Sequence, residues 1–255
     1  MRSSIIPKRC GTNSDCSVAE LPAPPPPFAE RLAMSFAPAD AAASLPLLWA
    51  IDAQIAASAR PGLDHGVAHA RLEWWRGEIE RLARGEPRHP LCVQLRASGG
   101  AAPDYSAYGA RVTAAELTLV GYAPAGLDEL DACFDRSDGA REILAAELMA
   151  QRRDPALCAY GRALGRGLGL TAALQREDAV LLGAQDRGAL AAHAASALHS
   201  ALSALAPPAR ARQRHGLVRA ELALDQLDRP GRTPAPLRQL WLAWRSARRA
   251  LRSAS

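Results

Sequence analysis

Long apolar stretches, strand signals and paired cysteines are all missing from this sequence of 255 residues, and each absence excludes something. No apolar run approaches the roughly 18 residues that a membrane-spanning helix needs, so none is expected. Alternating stretches, Asn-Gly turns and β-branched runs are nearly absent, which excludes a fold built on sheets. The five Cys are odd in number and lack paired spacing, and no secretory signal opens the chain, so a reducing compartment is expected rather than a disulfide framework. There is no G-x-S-x-G nucleophile motif, no zinc-finger spacing and no aromatic-rich RNA-binding motif. Nucleic acid is therefore not an expected partner. Lysine is almost absent too, with Lys8 alone representing it.

With 49% hydrophobic and 22% charged residues, the chain can bury a core and is not broadly disordered. Its net charge of +5 is unevenly placed. From Ala209 to Ser255 eleven Arg face three acids (Glu221, Asp225, Asp228), a local +8, so the remainder is slightly acidic. The basic character belongs to one region.

Residues 1–40 read as a disordered Pro-rich tail: Pro22 and Pro24 to Pro27 favour extended polyproline geometry, and Cys10 and Cys16 are expected to be free thiols there. Residues 41–255 read as one all-α domain, a bundle of about eight to ten helices. Leu45, Leu47, Leu48, Ile51 and Ile55 share a helical face that Pro61-Gly62 ends. Val67, Leu72, Trp75, Ile79 and Leu82 form the next, and a third begins after His89-Pro90. Thr113 to Glu116 has the form of a capping box, which predicts a helix start. Leu127 to Ala150 reads as a long helix bent near Gly139. Gly161, Gly165 and Gly169 recur every four residues, a face without side chains where another backbone can approach. Further helices are expected at about 186–204, 208–228 and Pro236 to Arg252.

Gly165-Arg166-Gly167-Leu168-Gly169 resembles a dinucleotide loop only superficially, because no strand precedes it. Asp64, His65, His69 and Glu73 lie a turn apart, but they lack a companion ligand and sit at a helix start, so no metal site is expected. Asp131 and Asp135 form a DxxxD pair within an acidic cluster that includes Asp128 and Asp138. Such a pair can hold Mg²⁺ and a diphosphate, but a solvated, acid-rich helix start with Arg136 and Arg141 alongside accounts for it better.

The last helix places Leu237, Leu240, Trp241, Trp244 and Leu251 on one face, with Arg238, Arg245, Arg248, Arg249 and Arg252 around it. Burial of the apolar face in the bundle is the expectation. Trp241, Trp244, Arg245, Arg248 and Arg249 are also candidates for contact with an anionic bilayer surface.

Three segments in order resemble the squalene/phytoene synthase family. Leu47-Leu48-Trp49-Ala50-Ile51-Asp52, with Arg71-Leu72-Glu73-Trp74-Trp75-Arg76 and Gly85 to Pro90, looks like the opening helix, the Leu-x-Trp-Trp-Arg helix and its His-Pro sequel. Leu127 to Ala140 and Leu164 to Thr171 follow. The resemblance covers about 43–255 and implies an all-α isoprenoid-synthase bundle. It also implies two aspartate-rich motifs that hold Mg²⁺ against two diphosphates.

Those motifs are degenerate here. The first would fall at Ala56, Ala57 and Arg60, and the second at Gln175, Arg176 and Val180. Family members lacking the aspartates are known, a mitochondrial complex I assembly factor among them. The resemblance therefore implies a catalytically degenerate synthase-like protein with no cofactor, acting as a lipid-binding or assembly protein near the membrane. Its expected partners are an isoprenoid or other lipid and a protein; its expected location is cytoplasmic, peripheral to the inner membrane. The alternative is an active prenyltransferase whose Mg²⁺ is held by Asp52, Asp131, Asp135 and Asp178. Trp74, Trp75, Arg76, Gly165, Gly169 and Thr171 are candidates for a cavity wall or for packing, with Arg76 paired to Glu73 or Glu80.

Overall fold

The computed structural model describes residues 28–100, 103–232 and 235–252, and among them there is no strand. Residues 1–27, including the Pro-rich run, Cys10 and Cys16, lie outside the described residues. The helices are α1 (Phe28–Met34), α2 (Ser44–Ser58), α3 (His65–Arg84), α4 (Pro90–Gly99), α5 (Gly109–Leu119), α6 (Leu127–Phe134) and α7 (Ala140–Ala150). Then come α8 (Pro155–Arg176), α9 (Ala179–Leu182), α10 (Arg187–Ser203), α11 (Pro207–Arg212), α12 (Arg214–Leu227) and α13 (Pro236–Arg252). Nine of these run ten residues or more, in line with the helical patterning of the sequence.

Aspartate side chains cap four of the helices. Asp64 accepts from the backbone N–H of Val67 at the head of α3, and Asp154 accepts from Ala156 with Pro155 in the first turn of α8. Asp178 and Asp186 do the same for α9 and α10. Each cap satisfies an N–H that has no partner within its helix. Gly85 closes α3 in the left-handed region at φ 85°, a conformation open to glycine at little cost.

Two helix starts differ from the sequence expectation. Phe28–Met34, inside the segment read as tail, is helical, and its Ala33 is buried with Val218, Leu222, Leu242 and Ala243. Thr113 does not begin a helix. A 3-10 turn at Tyr105–Tyr108 winds directly into α5, so the backbone at Thr113 is already within a helix.

The bend expected near Gly139 is a π-helical turn, Asp135–Gly139, that joins α6 to α7. The glycines of α8 explain how it packs. A Cβ on Gly165 would strike the backbone of Gly139 and Asp138, and one on Gly161 would lie 2.6 Å from the Ile143 backbone. A Cβ on Gly169 would meet the Phe134 ring and the Asp138 carboxylate. The central helix α8 is thus laid backbone to backbone on the π turn and α7, while Gly167 faces Leu198 of α10.

One cluster of buried residues joins α2, α3, α4, α5 and α7; a second joins α7, α8, α10 and α12. Helix α7 contributes to both clusters and so lies where they meet.

Helix α13 reverses its expected orientation. Its buried residues are Gln239, Leu242, Ala243, Ser246, Ala247 and Ala250, whereas Leu237, Leu240, Trp241, Trp244 and Leu251 are exposed. The small residues allow α13 to lie close to α12, and ion pairs from Arg238 to Asp225 and from Arg249 to Glu221 hold it there.

Candidate ligand cavity and buried charge network

Of the charged residues buried in helix faces, three stand in this region: Asp52 on α2, Glu142 on α7 and Arg219 on α12. They belong to one network. Asp52 Oδ1 accepts from Arg111 Nε at 2.6 Å and from the Tyr108 hydroxyl at 3.0 Å, and Arg141 Nη1 lies 3.5 Å from its other oxygen. Arg141 also pairs with Asp138 at 2.7 Å and Glu142 at 3.0 Å. Arg219 reaches Glu142 at 2.6 Å and Glu30 of α1 at 3.8 Å, with its guanidinium over the Trp49 ring.

Burial disfavours the charged forms of Asp52 and Glu142, but the neighbouring cations outweigh it. Arg111 and Arg141 hold Asp52 below the usual carboxylate range, and Arg219 and Arg141 do so for Glu142. His215, buried beside them, is pushed down to about 4, chiefly by burial, with Arg219 adding to and Glu142 opposing the shift. The network thus matches three inward carboxylates (Asp52, Asp138, Glu142) with three guanidiniums (Arg111, Arg141, Arg219).

A cavity of about 360 Å³ opens beside this network, between α8 and α12 and beneath α1. Arg141, Asp138 and Arg219 form its charged floor, and Leu168, Leu222 and Ala223 its apolar wall. Thr171 lines it while donating to the Gly167 carbonyl at 2.7 Å. Gln175 bonds Gln226 across the rim at 2.8 Å. Arg176 is on the same rim, exposed, with no ion pair among the described residues.

The sequence matches no protein-family model and no curated protein. Its structure is similar to the crystal structure of a dehydrosqualene synthase in complex with ligand, with a TM-score of 0.63 over 87% of this chain and 91% of that one, at 16% identity. The chain has a squalene/phytoene synthase-like fold.

Within that fold, Ala56, Ala57 and Arg60 are exposed on or just after α2 and do not line the cavity. Gln175 and Arg176 stand at the cavity rim, while Val180 is exposed on α9. The structure therefore does not bring the two sets together around this cavity. Of the packing candidates, Gly165 and Gly169 admit the π turn, and Thr171 is the one that also reaches the cavity.

Trp74 and Trp75 do not line it; Trp75 is buried in the α2–α5 core, Trp74 is half exposed, and both rings meet His89. Arg76 pairs mainly with Glu116 of α5 at 2.6 Å, a partner distant in sequence, with Glu73 at 3.6 Å. Buried Glu78 accepts from the backbone of Arg88 and His89, each at 2.7 Å, which fixes the turn between α3 and α4. The Trp-Trp-Arg and His-Pro elements act here as scaffold.

The remaining acidic candidates are neutralised in place. Arg166 spans Asp135 at 2.5 Å and Asp131 at 3.1 Å, and His193 bonds Asp131 at 2.8 Å. His65 and His69 face each other at 3.1 Å on an exposed turn. No group of three or more His, Cys, Asp or Glu suited to a metal occurs among the described residues.

The sequence reading missed Arg111, Arg141, Glu142 and Arg219 as members of one site. Its available signal was a charged residue interrupting an otherwise apolar helical face, as at Asp52 between Ile51 and Ile55.

Proposed function

We propose that this is a catalytically degenerate squalene/phytoene synthase-like protein, which holds a lipid and serves as an accessory or assembly protein beside a membrane. The observation that carries the reading is that the carboxylates the alternative would need for metal already have guanidinium, hydroxyl or backbone partners. A Mg²⁺–diphosphate centre needs carboxylate oxygens free to bind hard cations. Asp52 is saturated by Arg111, Tyr108 and Arg141; Asp131 and Asp135 are held by Arg166; and Asp178 caps α9. The residues present therefore do not fit Mg²⁺, which weighs against the prenyltransferase alternative.

The cavity supports the lipid part of the proposal. Its apolar wall suits a short stretch of hydrocarbon, and Arg176 at the rim suits an anionic headgroup bound directly by a guanidinium. The test is diphosphate release from farnesyl and geranylgeranyl diphosphate by purified protein, with and without Mg²⁺, beside an active synthase. No release in either condition is expected. Metal-dependent turnover would overturn the degenerate reading and restore the prenyltransferase alternative.

A further inference from the structure

An exposed stripe of large apolar side chains runs the length of α13. Leu237 is 80% exposed, Trp241 50% and Trp244 51%, with Leu240 and Leu251 similarly open. The stripe spans about 21 Å at the rise of an α-helix. Its opposite face is buried against the bundle, so it looks outward. Arg245 and Arg248 lie over the rings of Trp241 and Trp244, at 4.5 and 4.7 Å from their centroids.

We infer that the outer face of α13 is a docking surface for an anionic lipid bilayer, with the helix lying flat, its tryptophans at the headgroup boundary and its arginines at phosphate level. This rests on the membrane-side role proposed above and names the element and lipid charge that carry it.

Charge complementarity selects the occupant. Helix α13 contains five Arg and no acid. A second copy placed on this face would set like charges against each other, which opposes self-association. Arg238 and Arg249 are engaged by Asp225 and Glu221, but an anionic surface gains from the outward guanidiniums, and Arg248 has no carboxylate partner among the described residues. Indole is apolar with one polar N–H and is favoured at the membrane–water boundary. The opposite face is already packed on α12 and α11, so docking requires no unfolding of the bundle.

The test uses the full chain and co-sedimentation with vesicles of phosphatidylcholine, with and without about 30% phosphatidylglycerol. A parallel series with brominated acyl chains reads tryptophan quenching. Binding is expected only to the anionic vesicles, with quenching that is lost in Trp241→Ser/Trp244→Ser. That variant and Arg248→Glu are each expected to weaken binding about tenfold or more, since each basic residue near an anionic surface contributes a factor of about five. Arg71→Glu, an equal charge change on exposed α3, should stay within about twofold.

These side chains are exposed, so unchanged thermal melting serves as the folding control. No binding by the wild-type chain, equal binding by the variants, or an Arg71→Glu effect equal to that of Arg248→Glu would overturn the inference. Dimerisation lost in the tryptophan variant, without lipid binding, would also overturn it. Vesicle binding together with diphosphate release would overturn only the degenerate reading.

Discussion

Arg219 of α12 and Glu142 of α7 form an ion pair of 2.6 Å, with side chains only 7% and 0% exposed, and it couples the floor of the cavity to the core. Arg219 also reaches Glu30, so the same guanidinium ties α1 to the cavity's edge. Removing Arg219 strands part of the Glu142 charge away from water, since Glu142 then keeps only Arg141, at 3.0 Å, as an ion-pair partner among the described residues. Arg219→Met is expected to destabilise the protein by about 3–5 kcal/mol in urea unfolding. Adding Glu142→Gln should recover part of that loss, because the stranded charge is then gone. Additive losses in the double variant would refute the coupling.

The glycine face of α8 makes a steric prediction with its own control. Gly165→Ala and Gly161→Ala each drive a methyl group into backbone, not into a movable side-chain end. Each should cost about 1–3 kcal/mol and lower the thermal midpoint. Gly77→Ala, inside α3 with only the tip of Arg81 nearby at 3.4 Å, should stabilise by about 0.5–1 kcal/mol through helix propensity. Equal effects at the three positions would contradict the close approach of α8 to the π turn.

His215 gives the fold a pH dependence of defined sign. Its folded pKa is about 4, below its value in an unfolded chain, so the unfolded state binds the proton more readily between those values. Its contribution is therefore complete above about pH 6.5 and declines as pH falls toward 4, by about 3 kcal/mol across that window. Asp52 and Glu142, whose folded pKa values are lowered, add losses at more acidic pH. Urea melts at pH 7 and pH 5 should show the decline, and His215→Gln should flatten it. A wild-type profile flat between those values would contradict the burial of a neutral imidazole.

Metal should leave the protein indifferent. A ligand that binds only the folded state raises its stability in proportion to the logarithm of occupancy. Because the acidic groups described above already have cationic or backbone partners, millimolar Mg²⁺ is expected to shift the thermal midpoint no more than an equal ionic strength of NaCl, and chelator to shift it not at all. A saturable Mg²⁺-specific rise would reveal a carboxylate site free for metal.

The helices, most of their boundaries and the close-packing role of the α8 glycines were legible in the sequence, because periodicity, caps and glycine spacing act within a few residues. The lack of aspartates at Ala56, Ala57, Arg60, Gln175, Arg176 and Val180 could also be read directly. The charge network could not. Asp52, Arg111, Arg141 and Arg219 are far apart along the chain, and a lone charge in an apolar face does not name its partner. Arg76 shows the same point: its neighbour Glu73 is indeed a partner at 3.6 Å, but the bundle supplied the closer one, Glu116 at 2.6 Å.

Helix α13 marks the division most sharply. Its sequence by itself determined an amphipathic, arginine-rich helix, since spacing alone sets which residues share a face. Which face turns inward was decided only by tertiary structure. The α12 surface offers room for Ala243, Ala247 and Ala250 at close range and carboxylates for Arg238 and Arg249, so the tryptophans were left outside.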